Sequence, residues 1–140
     1  FWTDQFNNPD NRAGYAPMAR EVLEELDGKL DEFVMGVGTG GCFSGNAEVY
    51  KREVPGVRCV AIEPANSRAL SGQGPYGGHR LEGMGAGFVP EEGVFGGITS
   101  GANVWVALQR AKQLGPGHRV VTVICDSGLK YLQGELYRQA

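Results

Sequence analysis

With 140 residues, 41% hydrophobic and 21% charged, the chain has the apolar material for one core and one globular domain. A net charge of −3 leaves no basic footprint for nucleic acid, and no apolar run approaches the ~20 residues of a membrane span or the pattern of a signal peptide. The three cysteines, Cys42, Cys59 and Cys125, lack metal-ligand spacing, and an odd number argues against a disulfide framework. Each sits in or beside an apolar run, so buried free thiols in a reducing cytoplasm are expected.

In chain order, Phe1-Trp2-Thr3-Asp4-Gln5-Phe6 reads as the interior of a longer protein, so a fragment or processed product is expected. Asn7 to Ala16, rich in Asn and Pro, reads as loop. Pro17 to Leu26 carries apolar residues at helical spacing, Met18, Val22, Leu23 and Leu26, with Pro17 suited to a first turn and Gly28 as the stop. Glu32 to Val37 predicts a short buried strand, Gly41 to Lys51 a helix, and Val57 to Ile62 a strand rich in β-branched residues. Pro64 to Gly87 is a long glycine-rich loop region. Ser100 to Leu114 predicts a helix with Ser100 as N-cap and Gly115 as stop. Val120 to Ile124 is a continuously apolar strand, and Lys130 to Gln139 a closing helix. Strands alternating with helices predict an α/β fold in three layers, a mostly parallel sheet with helices on both faces. Ligands on such sheets bind beyond the carboxyl ends of the strands, which places Gly38 to Gly41, Glu63 and Asp126 along one edge.

The run from Phe33 to Gly45 carries the chemistry. A strand feeds a glycine-rich turn, and the turn feeds a helix. Such a loop presents backbone N–H groups to a phosphate where the helix dipole favours negative charge. Gly36-x-Gly38-x-x-Gly41 also satisfies dinucleotide-binding spacing, with Glu63 where a ribose-binding acid would stand. With 23 glycines in the chain, a tight turn with no ligand is the plain alternative.

Five motifs, in order, resemble the β-family (fold type II) pyridoxal-phosphate enzymes. Gln5-Phe6-x-Asn8-Pro9-x-Asn11 is similar to their Gln-Phe-x-Asn-Pro-x-Asn segment. Gly36-Val37-Gly38-Thr39-Gly40-Gly41 resembles their phosphate loop. His79-Arg80-Leu81-Glu82-Gly83-Met84-Gly85-Ala86-Gly87-Phe88-Val89-Pro90 is similar to the cysteine synthase segment His-Lys-Ile-Gln-Gly-Ile-Gly-Ala-Gly-Phe-Ile-Pro. Gly97-Ile98-Thr99-Ser100-Gly101-Ala102 resembles Gly-Ile-Ser-Ser-Gly-Ala, and Asp126-Ser127-Gly128-x-x-Tyr131-Leu132 that family's last motif. Together they favour cysteine synthase (O-acetylserine sulfhydrylase) and the related cystathionine β-synthase over the threonine dehydratases.

The resemblance implies pyridoxal 5′-phosphate as cofactor, a homodimer, and replacement of the β-substituent of an O-activated serine by sulfide to give cysteine. Cystathionine β-synthase is the alternative, and a non-catalytic nucleotide-binding or regulatory fragment is the alternative of another class. By motif, Gly38, Thr39, Gly40, Gly41 and Cys42 would cradle the phosphate. The family often has Thr where Cys42 stands, so a strong hydroxyl donor is replaced by a weak S–H. Thr99 matches the hydroxyl on the pyridine nitrogen, with Ser100 beside it at a helix N-terminus. Gln5 would help bind the substrate carboxylate, Phe6 would wall the pocket, and Gly83, Met84 and Gly85 match a loop that closes on substrate. His79 holds a structural place in its motif, His118 stands in a turn, and Asp126 serves the site or caps the turn that follows it.

The resemblance also implies what the sequence lacks. The family's Schiff-base lysine and its Thr-Ser-Gly-Asn-Thr-Gly loop belong to an N-terminal half, and Lys29, Lys51, Lys112 and Lys130 occupy none of that context. Residues 1–140 are therefore expected to be one α/β domain, the C-terminal part of a longer two-domain enzyme. A strand and helix that the family carries are missing between Pro90 and Glu91, where two motifs abut.

Overall fold

A computed structural model of the chain describes residues 2–65, 67–68, 70–72 and 96–131. Seven elements and a closing 3-10 turn follow one another. They are helices α1 (Pro9–Ala13) and α2 (Ala16–Glu25), strand β1 (Glu32–Gly36), helix α3 (Gly41–Glu53), strand β2 (Arg58–Ile62), helix α4 (Ile98–Leu114) and strand β3 (Val120–Thr122), with the turn at Gly128–Tyr131. The sheet has the order β2-β1-β3 and is parallel throughout, with Glu32 level with both Arg58 and Val120. The predicted α/β architecture is the one observed.

Four of the five residues of β1 are buried, as a central parallel strand requires. Its side chains alternate between two helical layers. Phe33 and Met35 join Ala19, Leu23, Val49 and Tyr50 in the core formed with α2 and α3. The Phe33 ring stacks on Phe43 at 5.8 Å and meets Tyr50 edge-on at 5.1 Å. On the other face Glu32 reaches α4.

Three differences from the sequence reading have a physical reason. Within the expected loop Asn7–Ala16 lies α1, because Asn8 accepts from the Asp10 amide at 2.9 Å as N-cap and Pro9 supplies a preset φ in the first turn. Helix α4 starts at Ile98 with Gly97 as its cap residue, so Ser100 lies inside the first turn and is not the N-cap. Strand β3 ends at Thr122, short of Ile124, because the buried Asn103 of α4 donates to the Val123 carbonyl at 3.0 Å and accepts from the Gly36 amide at 2.8 Å. Its amide takes the place that further β1–β3 ladder bonds would fill. The expected closing helix lies almost wholly outside the described residues, which show only the 3-10 turn at its start.

The amino ends of the strands are tied by charge. Glu32 is fully buried, and its carboxylate accepts two hydrogen bonds from Arg110, at 2.8 and 2.6 Å, with Arg58 at 3.3 Å. The Arg110 hydrogen bonds hold the Glu32 carboxyl below its ordinary range against the opposing effect of burial. A carboxyl depressed on folding contributes stability above its unfolded pKa, and that contribution is lost as pH falls through the lowered value. Arg110→Met should therefore cost about 3 kcal/mol or more, since it strands a buried carboxylate beside the exposed Arg58 alone. Glu32→Gln should flatten the acid limb of the stability–pH curve. Denaturant unfolding from neutral to acid pH checks both, and parallel curves for wild type and Glu32→Gln would remove Glu32 as the source of the acid loss.

Candidate functional site

Beyond the carboxyl end of β1 the chain enters Val37 to Gly40 and turns into α3. Gly40 precedes that helix in the left-handed region at φ 86°, a conformation that strains any residue with a side chain. A methyl group at Gly41 would collide with the side-chain amide of Asn11, and one at Gly45 with the Arg12 carbonyl. The two glycines thus let α1 lie against the start of α3.

No cap side chain reaches the α3 N-terminus, and its first-turn amides lack intrahelical acceptors. The contact nearest to a cap is the Thr39 hydroxyl, which accepts from the Gly41 amide at 3.4 Å. In front of this loop opens a cavity of about 200 Å³, whose lining includes Gln5, Phe6, Asn11, Thr39, Gly40 and Gly41. Gln5 and Phe6, far from the loop in sequence, are thereby brought to it. Gly38 and Cys42 flank the lining without contributing to it. Asn8, Asn11 and Ser44 join the lining although the sequence reading gave them no site role, and the Asn-Pro-x-Asn spacing around Pro9 was the available signal.

The second helix N-terminus at this edge is closed. The Asp126 carboxylate accepts from the Thr99 amide at 3.3 Å, the Ser100 amide at 2.9 Å and the Ser100 hydroxyl at 2.5 Å. A carboxylate there complements both the orphan amides and the dipole. Asp126 therefore caps the helix that precedes its strand. Ser100 is buried with its hydroxyl committed to Asp126. The Thr99 hydroxyl has no hydrogen-bond partner among the described residues. Thr99 and Ser100 do not line the cavity in front of Gly40.

Other sequence candidates resolve differently. The Glu63 carboxylate accepts from the amides of Leu70 at 2.8 Å and Ser71 at 3.3 Å. Those bonds, the Ser71 side chain foremost, hold its pKa down. Glu63 thus closes a loop on itself, and the dinucleotide reading loses its ribose acceptor. The thiols are free, as expected, but none is fully buried. Cys42 and Cys59 are half-buried, and Cys125, beyond the end of β3, is exposed. Burial pushes the Cys42 thiol up, away from the thiolate that a nucleophile needs. His118 is exposed, its ring nitrogen 3.3 Å from the Gly115 carbonyl oxygen. Lys29, Lys51, Lys112 and Lys130 are all exposed. Gly83, Met84, Gly85, His79 and the Pro90–Glu91 junction lie outside the described residues. No cluster of metal ligands occurs among the described residues, and no described helix is long and apolar enough to cross a membrane.

An open helix N-terminus behind a glycine loop is a place where an anion can bind. The pattern of the pyridoxal-phosphate dependent enzyme family matches residues 1–92. Cysteine synthase of Staphylococcus aureus (strain N315) is 40% identical over 167 aligned residues, covering 98% of this chain and 54% of that protein. The chain thus spans about half the length of the relatives it matches. The crystal structure of O-acetylserine sulfhydrylase isoform 3 from Entamoeba histolytica superposes with a TM-score of 0.88 at 32% identity, covering 100% of this chain and 50% of that one. The O-acetylserine-dependent cystathionine β-synthase of Helicobacter pylori superposes with a TM-score of 0.83 at 33% identity, covering 96% and 53%. The chain belongs to the pyridoxal-phosphate dependent enzyme family, and within it its likeness is to the cysteine synthases and cystathionine β-synthases.

Proposed function

We propose that this chain is the C-terminal part of a pyridoxal-phosphate enzyme that replaces the β-substituent of an O-activated serine with sulfide, giving cysteine. The observation that carries the reading is the contrast between two helix N-termini at one edge of the sheet. Asp126 fills the start of α4, while the start of α3 is left to a glycine loop and an open cavity. An anion is the ligand that such an end takes.

When bound, pyridoxal 5′-phosphate supplies the electron sink that lets a β-substituent leave an amino acid. The residues of this chain would bind and orient. The loop from Gly38 to Cys42 holds the phosphate through backbone amides, with the Thr39 hydroxyl as a further donor. Thr99, whose hydroxyl has no partner among the described residues, would hydrogen-bond the ring nitrogen. A hydroxyl cannot keep a proton on that nitrogen as a carboxylate would, which suits elimination and replacement. Ser100, its hydroxyl engaged with Asp126, would stand at the helix N-terminus beside the cofactor. Gln5 would bind the substrate carboxylate and Phe6 would wall the pocket, and Gly83, Met84 and Gly85, outside the described residues, keep the substrate-contact role that the family resemblance gives them.

The same reading takes residues 1–140 as one domain of a longer two-domain enzyme. The match to the Staphylococcus aureus relative spans 167 aligned positions against 140 residues in this chain, which supports a further segment within the matched span, and the reading places that segment between Pro90 and Glu91. A cytoplasmic homodimer is part of this proposal. The Helicobacter pylori neighbour keeps cystathionine β-synthase as the second reading, and rates with sulfide against homocysteine separate the two.

Three outcomes are expected in the full-length protein. Gly40→Val should strip the cofactor and its yellow absorption, because a β-branched side chain at φ 86° forces the loop to move. Normal cofactor content in that variant would contradict the loop assignment. Thr99→Asp should hold a proton on the ring nitrogen and shift the absorption spectrum and the product toward transamination, and Thr99→Val should slow β-replacement. Unchanged spectra and rates in both would move the role away from Thr99. Borohydride reduction followed by peptide mapping should label a lysine other than Lys29, Lys51, Lys112 and Lys130, and a specific adduct on any of these four would sink the view that this chain is one part of the enzyme.

A further inference from the structure

The turn that carries Gln5 and Phe6 is mostly local. Asn7 and Asn8 donate to the Asp4 carbonyl at 2.9 and 2.8 Å, and the Asn8 side chain donates to the Thr3 carbonyl at 3.2 Å. Among the described residues its hydrogen-bonded link to the glycine loop runs through the side chain of Asn11, on the first turn of α1. The Asn11 amide nitrogen donates to the Gln5 carbonyl at 2.7 Å and to the Thr39 hydroxyl oxygen at 3.2 Å. The orientation of that amide is fixed by chemistry, because a backbone carbonyl can only accept. Both amide protons are thereby used, and the same amide fills the space that a Gly41 side chain would need.

The consequence falls on Thr39. Its hydroxyl oxygen accepts from Asn11 on one side and from the Gly41 amide, at 3.4 Å, on the other. A hydroxyl has two acceptor sites and a single proton. With both acceptor sites taken from the protein side, the proton is left to point into the cavity that Thr39 lines.

We propose that Asn11 is a positioning residue with two separable effects: it orients the Thr39 hydroxyl as a donor to the cofactor phosphate, and it sets the Gln5 turn at the distance from the phosphate loop that substrate binding requires. The inference rests on the function proposed above. It predicts that phosphate grip and substrate affinity respond to one side chain through different partners.

The test is titration of full-length apo-protein with pyridoxal 5′-phosphate, with pyridoxal as the phosphate-free control, together with KM for the amino-acid substrate at saturating cofactor. Asn11→Ala should weaken pyridoxal 5′-phosphate binding about fivefold, the effect of one lost hydrogen bond, and leave pyridoxal unchanged. In a Thr39→Val background the same substitution should add almost nothing, because no hydroxyl remains to orient. KM should rise in both backgrounds, because the link to Gln5 does not pass through Thr39. Asn11→Asp, which keeps the shape and so guards against a folding defect, should weaken cofactor binding by about tenfold or more. Its new carboxylate would draw the Thr39 proton to itself and face the Gln5 carbonyl and the phosphate with negative charge. Equal losses in both Thr39 backgrounds, equal losses for pyridoxal, or an unchanged KM would each overturn the proposal. Wild-type protein that takes up no pyridoxal 5′-phosphate would instead overturn the functional reading beneath it.

Discussion

Helix α4 grips β1 at both ends through buried polar groups, and the position of the site depends on that grip. Arg110 holds the Glu32 carboxylate at the amino end, and Asn103 holds the Gly36 amide at the carboxyl end. Asn103 and Arg110 are two helical turns apart, about 10 Å along the axis. Glu32 and Gly36 are four strand residues apart, about 13 Å. Those lengths match only if helix and strand run antiparallel in one register, as the crossover of a parallel sheet demands. A slip by one residue would bury an unpaired carboxylate and orphan two amide groups, so the register is specified by penalty as much as by attraction. Asn103 also parts β1 from β3 just where the chain leaves for the glycine loop, which opens the sheet where ligands of such folds bind.

Electrostatics then distinguishes the two helix ends presented at that opening. Both carry orphan amides and the positive end of a dipole. At α4 the chain satisfies them from within, by the Asp126 carboxylate and a Ser100 hydroxyl that binds the same group. At α3 the residues nearest the amides are Gly40 and Thr39, and neither brings a charge. A second carboxylate would have stabilised α3 by roughly 0.3–1 kcal/mol and repelled any phosphate. Leaving it out gives up a little stability and leaves that helix end open, as the proposed phosphate site requires.

Much of this was legible in the sequence, and the misses share a cause. The strands, the helices beginning near Pro17 and Gly41, and the glycine loop follow from periodicity and punctuation, which are local. The short helix at Pro9 was missed because Asn and Pro mark loops and helix starts alike, and only the Asp10 amide bonded to Asn8 decides between them. Ser100 was read as a cap because serine favours that position. What capped the helix was Asp126, 26 residues away, and no local pattern reports a partner at that distance. Glu63 had the right spacing for a ribose, yet its carboxylate turned to the amides of its own loop. The placement of Gln5 and Phe6 before the glycine loop came from the resemblance alone, since no spacing links residues so far apart.

The loop itself shows why backbone geometry weighs more here than side-chain identity. Cys42 stands where a hydroxyl is common in the family, and its sulfur accepts from Asn46 at 3.6 Å, which turns it toward the α3 core. Asn46 in turn is held by the Tyr50 hydroxyl at 3.3 Å, so the sulfur is fixed in that direction. A thiol so placed adds little to an anion's coordination. On the proposed function the grip would come from amides, with the Thr39 hydroxyl beside them. Among substitutions only proline removes a backbone amide, but any change that moves the loop aims its amides wrongly, and their aim is set by the positive φ of Gly40 and by the contact of Gly41 with Asn11. In such a loop a change of conformation costs several donors at once, whereas the loss of one side chain costs a single bond.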